Sequence, residues 1–327
     1  MHPVPTLDQI KDTRRIIGPY INETPVYHWQ SDEITRRLGA DTQVLLKLEL
    51  FQRSGTFKAR GALSNIVTLS VDEKARGVTA VSAGNHAIAV AYAANALGIS
   101  AKVVMQNTAN PARTAAARAF GAEVVLAEPG APSFAAADKI STEEGRIFVH
   151  PFDGVQTICG AATLGLEMAK QLPDMDALII AIGGGGLAAG VATALRHLQP
   201  DCQIYGVEPV GADIMSRSFA KGSAQTMEGP KTIADSLSPP MTLPFPYMLC
   251  KRAIRKIVTL TDDEICKAMA LLFHDMKLAV EPAGAAAVAA LLGELADELR
   301  GKRVGVIICG ANIDAEGFGA YIRRAEG

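Results

Sequence analysis

Four short stretches hold residues whose types and spacing could do chemistry. In "SGTFKARGA", Lys58 sits among small residues, after the apolar run "QVLLKLEL" and the polar corner "FQRSG". A lysine there is either a solvated charge or a buried amine built to react, because burial weakens an amine's hold on its proton and frees its lone pair for attack. In "AIGGGGLAAG", the consecutive glycines Gly183, Gly184, Gly185 and Gly186 lead into Leu187, between a strand-like and a helix-like run. Small residues let successive backbone N–H groups converge, and a helix start adds positive potential, which makes a phosphate cradle. Four adjacent glycines exceed what a tight strand–helix turn needs. In "VSAGNHAIA", Ser82, Gly84 and Asn85 occupy a second such junction, suited to a carboxylate. The structural alternative is N-capping by Ser82 or Asn85, with His86 a packed or capping histidine. In "VIICGANID", Cys309 ends a strand, either as core filler or as a weakly polar side chain facing a cleft.

The glycine loop alone leaves its phosphate open. Gly184, Gly186 and Ala189 also satisfy the dinucleotide fingerprint G-x-G-x-x-A, and Glu208 ends the next strand about where a ribose-binding acid would sit. A nicotinamide-dependent oxidoreductase is therefore a rival reading. Against it, the strand lies far into the chain, with a full set of α/β units before it.

The elements that must position these residues alternate. "QVLLKLEL", "GVTAVS", "AKVVM", "EVVLA", "RIFVH", "ALIIAIG", "QIYGVEP", "RKIVTL" and "RVGVIIC" read as strands. Between them, "NHAIAVAYAANALG", "PARTAAARAFG", "PSFAAADKISTEEG", "TICGAATLGLEMAKQL" and "GLAAGVATALRHL" read as helices, as do segments near 6–17, 31–38, after Asp262 and after Pro282. Alternating strands and helices specify an α/β fold with open, twisted, mostly parallel sheets covered on both faces. A break near His150–Asp153 splits the rhythm, giving two such layers with a ligand cleft between them. The expected division is a large domain of 1–75 and 152–327 with a small domain, 76–151, inserted in it. "LSPPMTLPFPYML", with four prolines, reads as an irregular surface connection.

The bulk numbers bound the rest. The 327 residues are 49% hydrophobic and 20% charged, with a formal net charge of −2, which fits a globular protein with no nucleic-acid partner. The five cysteines include no C-x-x-C pair and no metal-finger spacing, so reduced thiols in a cytoplasm are expected. The N-terminus has no signal-peptide pattern, and glycines break the most apolar run, so no membrane association is expected.

Taken in order, "KLELFQRSGTFKARGA", "SAGNHA", "GAEVV", "HPFDG", "GGGGLAAG", "GVEP", "EPAGAAA" and "CGANID" resemble the fold-type II pyridoxal-phosphate (PLP) enzymes, in the threonine/serine dehydratase and serine racemase branch. The resemblance covers almost the whole chain. It implies a tryptophan synthase β-like fold with Lys58 as the Schiff-base lysine and Phe57 lining the cofactor site. It implies further that Asn85 bonds the cofactor's 3′-oxygen, Gly183 to Leu187 cradle its phosphate, and Cys309 faces its pyridine nitrogen. Ser82, Ala83, Gly84, Asn85 and His86 would hold the substrate carboxylate. The family more often has serine where Cys309 stands, and either is a neutral partner. The implied activity is an ammonia-lyase: loss of the β-hydroxyl and amino group of threonine, serine or a related hydroxy amino acid, giving a 2-oxo acid and ammonia.

Departures from the family pattern refine this. Racemases resemble "SSGNH", with a second acid–base serine where this chain has Ala83, so a racemase is disfavoured. The family's divalent-cation site pairs the acid at Glu208 with a second acid six residues on, where Ile214 stands; adjacent Asp213 could substitute only at the wrong spacing, so a cation at Glu208 is expected to bind more weakly than in the family. Gln106-Asn107 stands where proline is usual, and "CGAAT" replaces "GQGT". The chain ends at Gly327, leaving no room for the regulatory domain of biosynthetic threonine enzymes, which fits a catabolic role. Arg53 and Arg113 read as solvated, although either could meet a second carboxylate in a substrate such as 3-hydroxyaspartate; phenylserine and a hydroxylated ectoine are further alternatives. A catalytically silent binding protein would keep the anion sites without needing Lys58. The resemblance implies a homodimer.

Overall fold

The predicted strand runs are short, apolar and rich in β-branched residues, and they pair into two sheets in the computed structural model, which describes residues 2–327. In chain order the strands are β1 (Val26–Trp29), β2 (Gln43–Leu48), β3 (Val78–Val81), β4 (Ala101–Gln106), β5 (Glu123–Ala127), β6 (Ile147–Phe148), β7 (Ala177–Ala181), β8 (Gln203–Pro209), β9 (Ile254–Leu260) and β10 (Arg303–Ile308). One sheet has the order β1-β2-β10-β7-β8-β9 and the other β5-β4-β3-β6. All pairings are parallel except β1 with β2, where Val26 lies opposite Lys47. Strands such as β7, buried at every position, are what a sheet covered on both faces requires.

Each sheet has its own core. The larger centres on Leu46, Ile179, Val207 and Val306 of the six-stranded sheet, with Val191 and Leu195 of the helix Gly186–Leu198 packed on it. The smaller centres on Val78, Val103 and the helix Asn85–Ala96. It also recruits Ile17, Ile21, Ala62, Leu63 and Ile66 from well before β3. The last three belong to the helix Lys58–Val67, whose other side packs on the helix Val155–Gln171 under the six-stranded sheet. That crossing is close: a Cβ on Gly160 would stand 2.4 Å from the Arg60 carbonyl oxygen.

Three sequence expectations need revision. β1 falls where no strand is expected, because its pattern is weak and its stability comes from pairing with β2. "RIFVH" contributes only the two residues of β6. The proline-rich stretch is not wholly irregular: Pro244–Ala253 is a helix, with Pro244 in its first turn, where the missing N–H costs nothing. Phe245, Leu249 and Cys250 are its buried face. Among the described residues no helix is long and apolar enough to cross a membrane.

Candidate active site

Parallel strands deliver their carboxyl ends to one side of each sheet, and the predicted residues gather there. β3 runs into the Ser82–His86 loop, β7 into the glycine loop, and β10 into Cys309. The Lys58 helix is pinned beside them: Phe57 N–H donates to the Cys309 carbonyl at 3.2 Å, and Thr56 bridges to Gly310. One recess is thus bordered by Phe57, Lys58, Asn85, the Gly183–Leu187 loop and Cys309. Lys58 Nζ lies 5.2 Å from the Phe57 ring centre and donates to the Pro151 carbonyl at 2.7 Å. Desolvation by the surrounding protein pulls its amine down to about 8, against the opposing pull of Cys309 and Glu281. The Cys309 thiol is pushed well above its ordinary range by burial and donates to the Ala283 carbonyl at 3.3 Å, so it stays protonated.

The glycine loop is shaped for an anion. Gly185 has φ +101°, a backbone that side chains rarely adopt, and a Cβ on Gly184 would stand 2.3 Å from the Phe152 ring. The helix beginning at Gly186 has no side-chain cap, so its first N–H groups remain available. The Asn85 helix is likewise uncapped: Ser82 Oγ accepts from Gly84 N–H at 3.1 Å and does not reach the helix. N-capping therefore does not account for Ser82 or Asn85. His86 Nε2 meets the Val149 carbonyl at 2.8 Å, while its buried Nδ1 has no partner. Burial, with Lys58 nearby, depresses His86 to about 3; burial also lowers His150 to about 4, so both are neutral at pH 7.

Asn85 is held by groups that sequence reasoning missed. Its Nδ2 donates to Glu281 Oε1 at 2.6 Å and to Ser236 Oγ at 3.0 Å, and its Oδ1 accepts from Asn312 Nδ2 at 2.8 Å. Glu281 is buried and held up to about 7 by desolvation, although Arg113 pulls the other way. Arg113 corrects an expectation: it is not solvated but 7% exposed. Its Nη2 donates to Glu281 Oε2 at 3.2 Å, its Nε to the Asn312 carbonyl at 2.8 Å, and its Nη1 to Asp235. The cause lies in its helix, Pro111–Ala119, whose cap Asn110 also bonds Asp314, so this end of the helix is docked on the six-stranded side. Arg53 is exposed, as expected. "EPAGAAA" could have drawn attention to Glu281, since it lies in a quoted marker; Asp235 and Ser236 carry no such signal.

Glu208 is elsewhere in function. Its carboxylate accepts from Met215 N–H at 2.7 Å, Ser216 N–H at 2.8 Å and Ser216 Oγ at 2.7 Å, capping the helix Ile214–Lys221. Burial raises it to about 7. Both oxygens are bonded within the protein and the side chain is fully buried, so it does not present itself to a ribose as a dinucleotide reading requires. Ile214 is fully buried, and Asp213 pairs with Arg217. Among the described residues no three potential ligands cluster for a metal ion.

An amine with a lowered pKa, facing a glycine phosphate cradle across a recess with a neutral thiol, defines a class of cofactor enzyme. The chain belongs to the pyridoxal-phosphate dependent enzymes, whose family pattern matches residues 17–310. It is 52% identical over 319 residues to phenylserine dehydratase of Ralstonia pickettii, covering 98% of this chain and 97% of that one. It is 36% identical to L-threonine ammonia-lyase of Thermotoga maritima, covering 98% and 78%. Among solved structures, maize serine racemase superposes with a TM-score of 0.91 at 30% identity, covering 98% of both chains. The cofactor is pyridoxal 5′-phosphate, and the residues present fit it: a side chain at Gly184 would occupy the cradle's wall, and Lys58 stands at its mouth.

Proposed function

We propose that this chain is a dehydratase of the ammonia-lyase type, with Lys58 as its acid–base group. It removes the β-hydroxyl and amino group of a hydroxy amino acid and yields a 2-oxo acid and ammonia. The observation that carries the reading is the placement of Lys58, its amine drawn down to about 8, among the glycine loop, Asn85 and Cys309. The bound cofactor supplies the electron sink that makes the α-proton removable. The chain does the rest. The first-turn N–H groups at Gly186 and Leu187, with Gly183 to Gly185, hold the phosphate. Phe57 would flank the ring, and the Asn85 amide would serve its 3′-oxygen by exchanging the longer of its two bonds, the one to Ser236. The backbone of Ser82, Ala83, Gly84, Asn85 and His86 takes the substrate carboxylate at an uncapped helix start. Lys58 accepts the α-proton as its neutral amine. The protonated Cys309 thiol would meet the cofactor's ring nitrogen as a neutral partner, so the chain would supply no charge there to strengthen the sink. Ala83 offers no second acid–base group, which favours elimination over racemisation.

In this reading residues 1–75 and 152–327 bind the cofactor, and 76–151 present the substrate loop. The five free cysteines, all buried, suit a reducing cytoplasm, and family likeness supports a homodimer, which sedimentation would test. The experiment for the function is direct. The purified protein should absorb in the visible, lose that band with borohydride, and carry the pyridoxyl mass on Lys58. Lys58→Ala should lose on the order of 10²–10⁴-fold in 2-oxo acid release. A protein that stays colourless after added cofactor would sink the reading.

A further inference from the structure

The recess around Lys58 opens into a larger cavity of about 230 Å³, which also reaches the Ser82–His86 loop. Its remaining walls come from both sheets. From the four-stranded side comes Phe134, in the first turn of the helix Ala131–Glu144. From the six-stranded side come Pro239, Pro240 and Met241. Resting on the dehydratase reading above, we propose that Phe134 and Pro239–Met241 form an aryl subsite, which selects hydroxy amino acids bearing an aromatic β-substituent.

Three observations lead there. The first is size. A dry cavity of roughly 150 Å³ admits a benzene ring; this one is larger, and while its Lys58, Asn85 and Gly184 end is shared with the cofactor recess, its Phe134 and Pro239–Met241 end is not. The methyl group of threonine would leave much of it to water.

The second is charge. The cations lining the cavity are Lys58 and Arg113. Lys58 is assigned to the reaction, and Arg113 is spent on Asp235, Glu281 and the Asn312 carbonyl. His86 and His150 also line it and are neutral at pH 7. A β-carboxylate, as in 3-hydroxyaspartate, would therefore find no free cation and would face Asp235, which is half-exposed in the same cavity. Burying a charge on those terms is costly, whereas an uncharged ring is not penalised.

The third is the wall itself. Phe134 is 42% exposed although its neighbour Ser133 is fully buried and anchored to the Gly130 carbonyl at 2.8 Å, so the backbone that presents the ring is fixed. Phe134 does not stand alone: it shares the cavity wall with Pro239, Pro240 and Met241, so an apolar substituent placed there would meet apolar side chains from both sheets. Opposite, Pro239 Cδ would lie 3.3 Å from a Cβ on Gly183, and Thr242 Oγ donates to the Gly184 carbonyl at 3.0 Å. The proline–methionine wall is thereby tied to the phosphate loop. Met241 supplies a polarisable thioether that suits an aromatic neighbour.

The test uses the holoenzyme with L-threo-phenylserine, L-threonine and 3-hydroxyaspartate as substrates. It also uses calorimetric titration of L-phenylalanine and L-2-aminobutyrate, which lack a β-hydroxyl. We expect phenylserine to be preferred, with Phe134→Ala lowering the phenylserine-to-threonine ratio of kcat/KM by about 10-fold or more. Phenylalanine binding should weaken in step relative to aminobutyrate, and Phe134→Leu, which keeps an apolar wall of intermediate size, should fall between. A preference for 3-hydroxyaspartate, or equal loss on both substrates in Phe134→Ala and Phe134→Leu alike, would overturn the subsite. Wild-type enzyme that turns over none of the three would remove the dehydratase reading, and the phenylalanine titration would then decide the subsite by itself.

Discussion

Lys58 and Arg113 are both cations set into one cleft, yet their surroundings give them opposite characters. Lys58 has no carboxylate within hydrogen-bonding distance and loses affinity for its proton through desolvation. Its neutral form therefore gains ground above about pH 8, where an ordinary lysine would need a pH near 10.5. Apoenzyme mixed with pyridoxal phosphate should accordingly capture it with a rate that climbs through pH 8, followed by visible absorbance; a climb delayed to about pH 10 would show an unperturbed amine. Arg113 instead sits against Asp235 and Glu281 and stays charged. It favours the ionised form of Glu281, so removing it must raise the Glu281 pKa above its present value of about 7. In Arg113→Ala the pH midpoint of the Glu281 carboxyl, followed by its infrared band, should move upward. Burial, Arg113, Asp235 and the Asn85 amide act on Glu281, with Lys58 and Cys309 close by. Lys58, Asn85 and Cys309 were legible in the sequence because each lies in a short motif at a strand end or helix start. Arg113 was not, because its environment is made by Glu281, 168 residues away, and no local pattern encodes that.

At the scale of elements, the Lys58 helix is held by an ion cluster that no motif announces. Arg60 makes paired bonds to Glu49 and to Glu167, each at 2.8 Å, and Lys47 donates to Glu167 at 2.9 Å. All four side chains are buried. Such a cluster gains little over a well-packed apolar substitute, but removing one member strands a buried charge. Arg60→Ala should therefore cost about 3–5 kcal/mol in urea unfolding. Gly160→Ala should cost about 1–3 kcal/mol, because the new methyl meets the Arg60 carbonyl at the helix crossing. The strand–helix rhythm that sets these elements was readable from hydrophobic period alone. The lysine inside "QVLLKLEL" did not announce the cluster, since a strand turns it to the face opposite its leucine neighbours, and a solvated face reads the same way. The partner, Glu167, sits on a helix whose sequence reads as ordinary amphipathic. The helix at Pro244 was hidden for another reason: prolines at 244 and 246 obscure an apolar spacing that the fold uses.

At the scale of the molecule, the two sheets meet along the cleft and are tied there by Arg113 and Asn110, both on the four-stranded side. A cofactor seated between the sheets binds only when both are in place, so it should stabilise the whole. Removing it should lower the unfolding free energy by about 4 kcal/mol when the free cofactor had stood at 1,000 times its Kd, read as a fall in the denaturation midpoint. That two layers exist was legible from the break in rhythm near His150. That the smaller core borrows Ala62, Leu63 and Ile66 was not, because the Lys58 helix is apolar on more than one side, and sequence does not say which neighbour claims which face. That sharing has a mechanical meaning. The helix is gripped by both bodies, so it works as a common beam, and a side chain on its first residue keeps one position relative to either sheet. Asn85, bonded across the cleft to Glu281 and Ser236, ties the Ser82–His86 loop to the same frame, so the Lys58 amine keeps its aim at whatever the cleft holds.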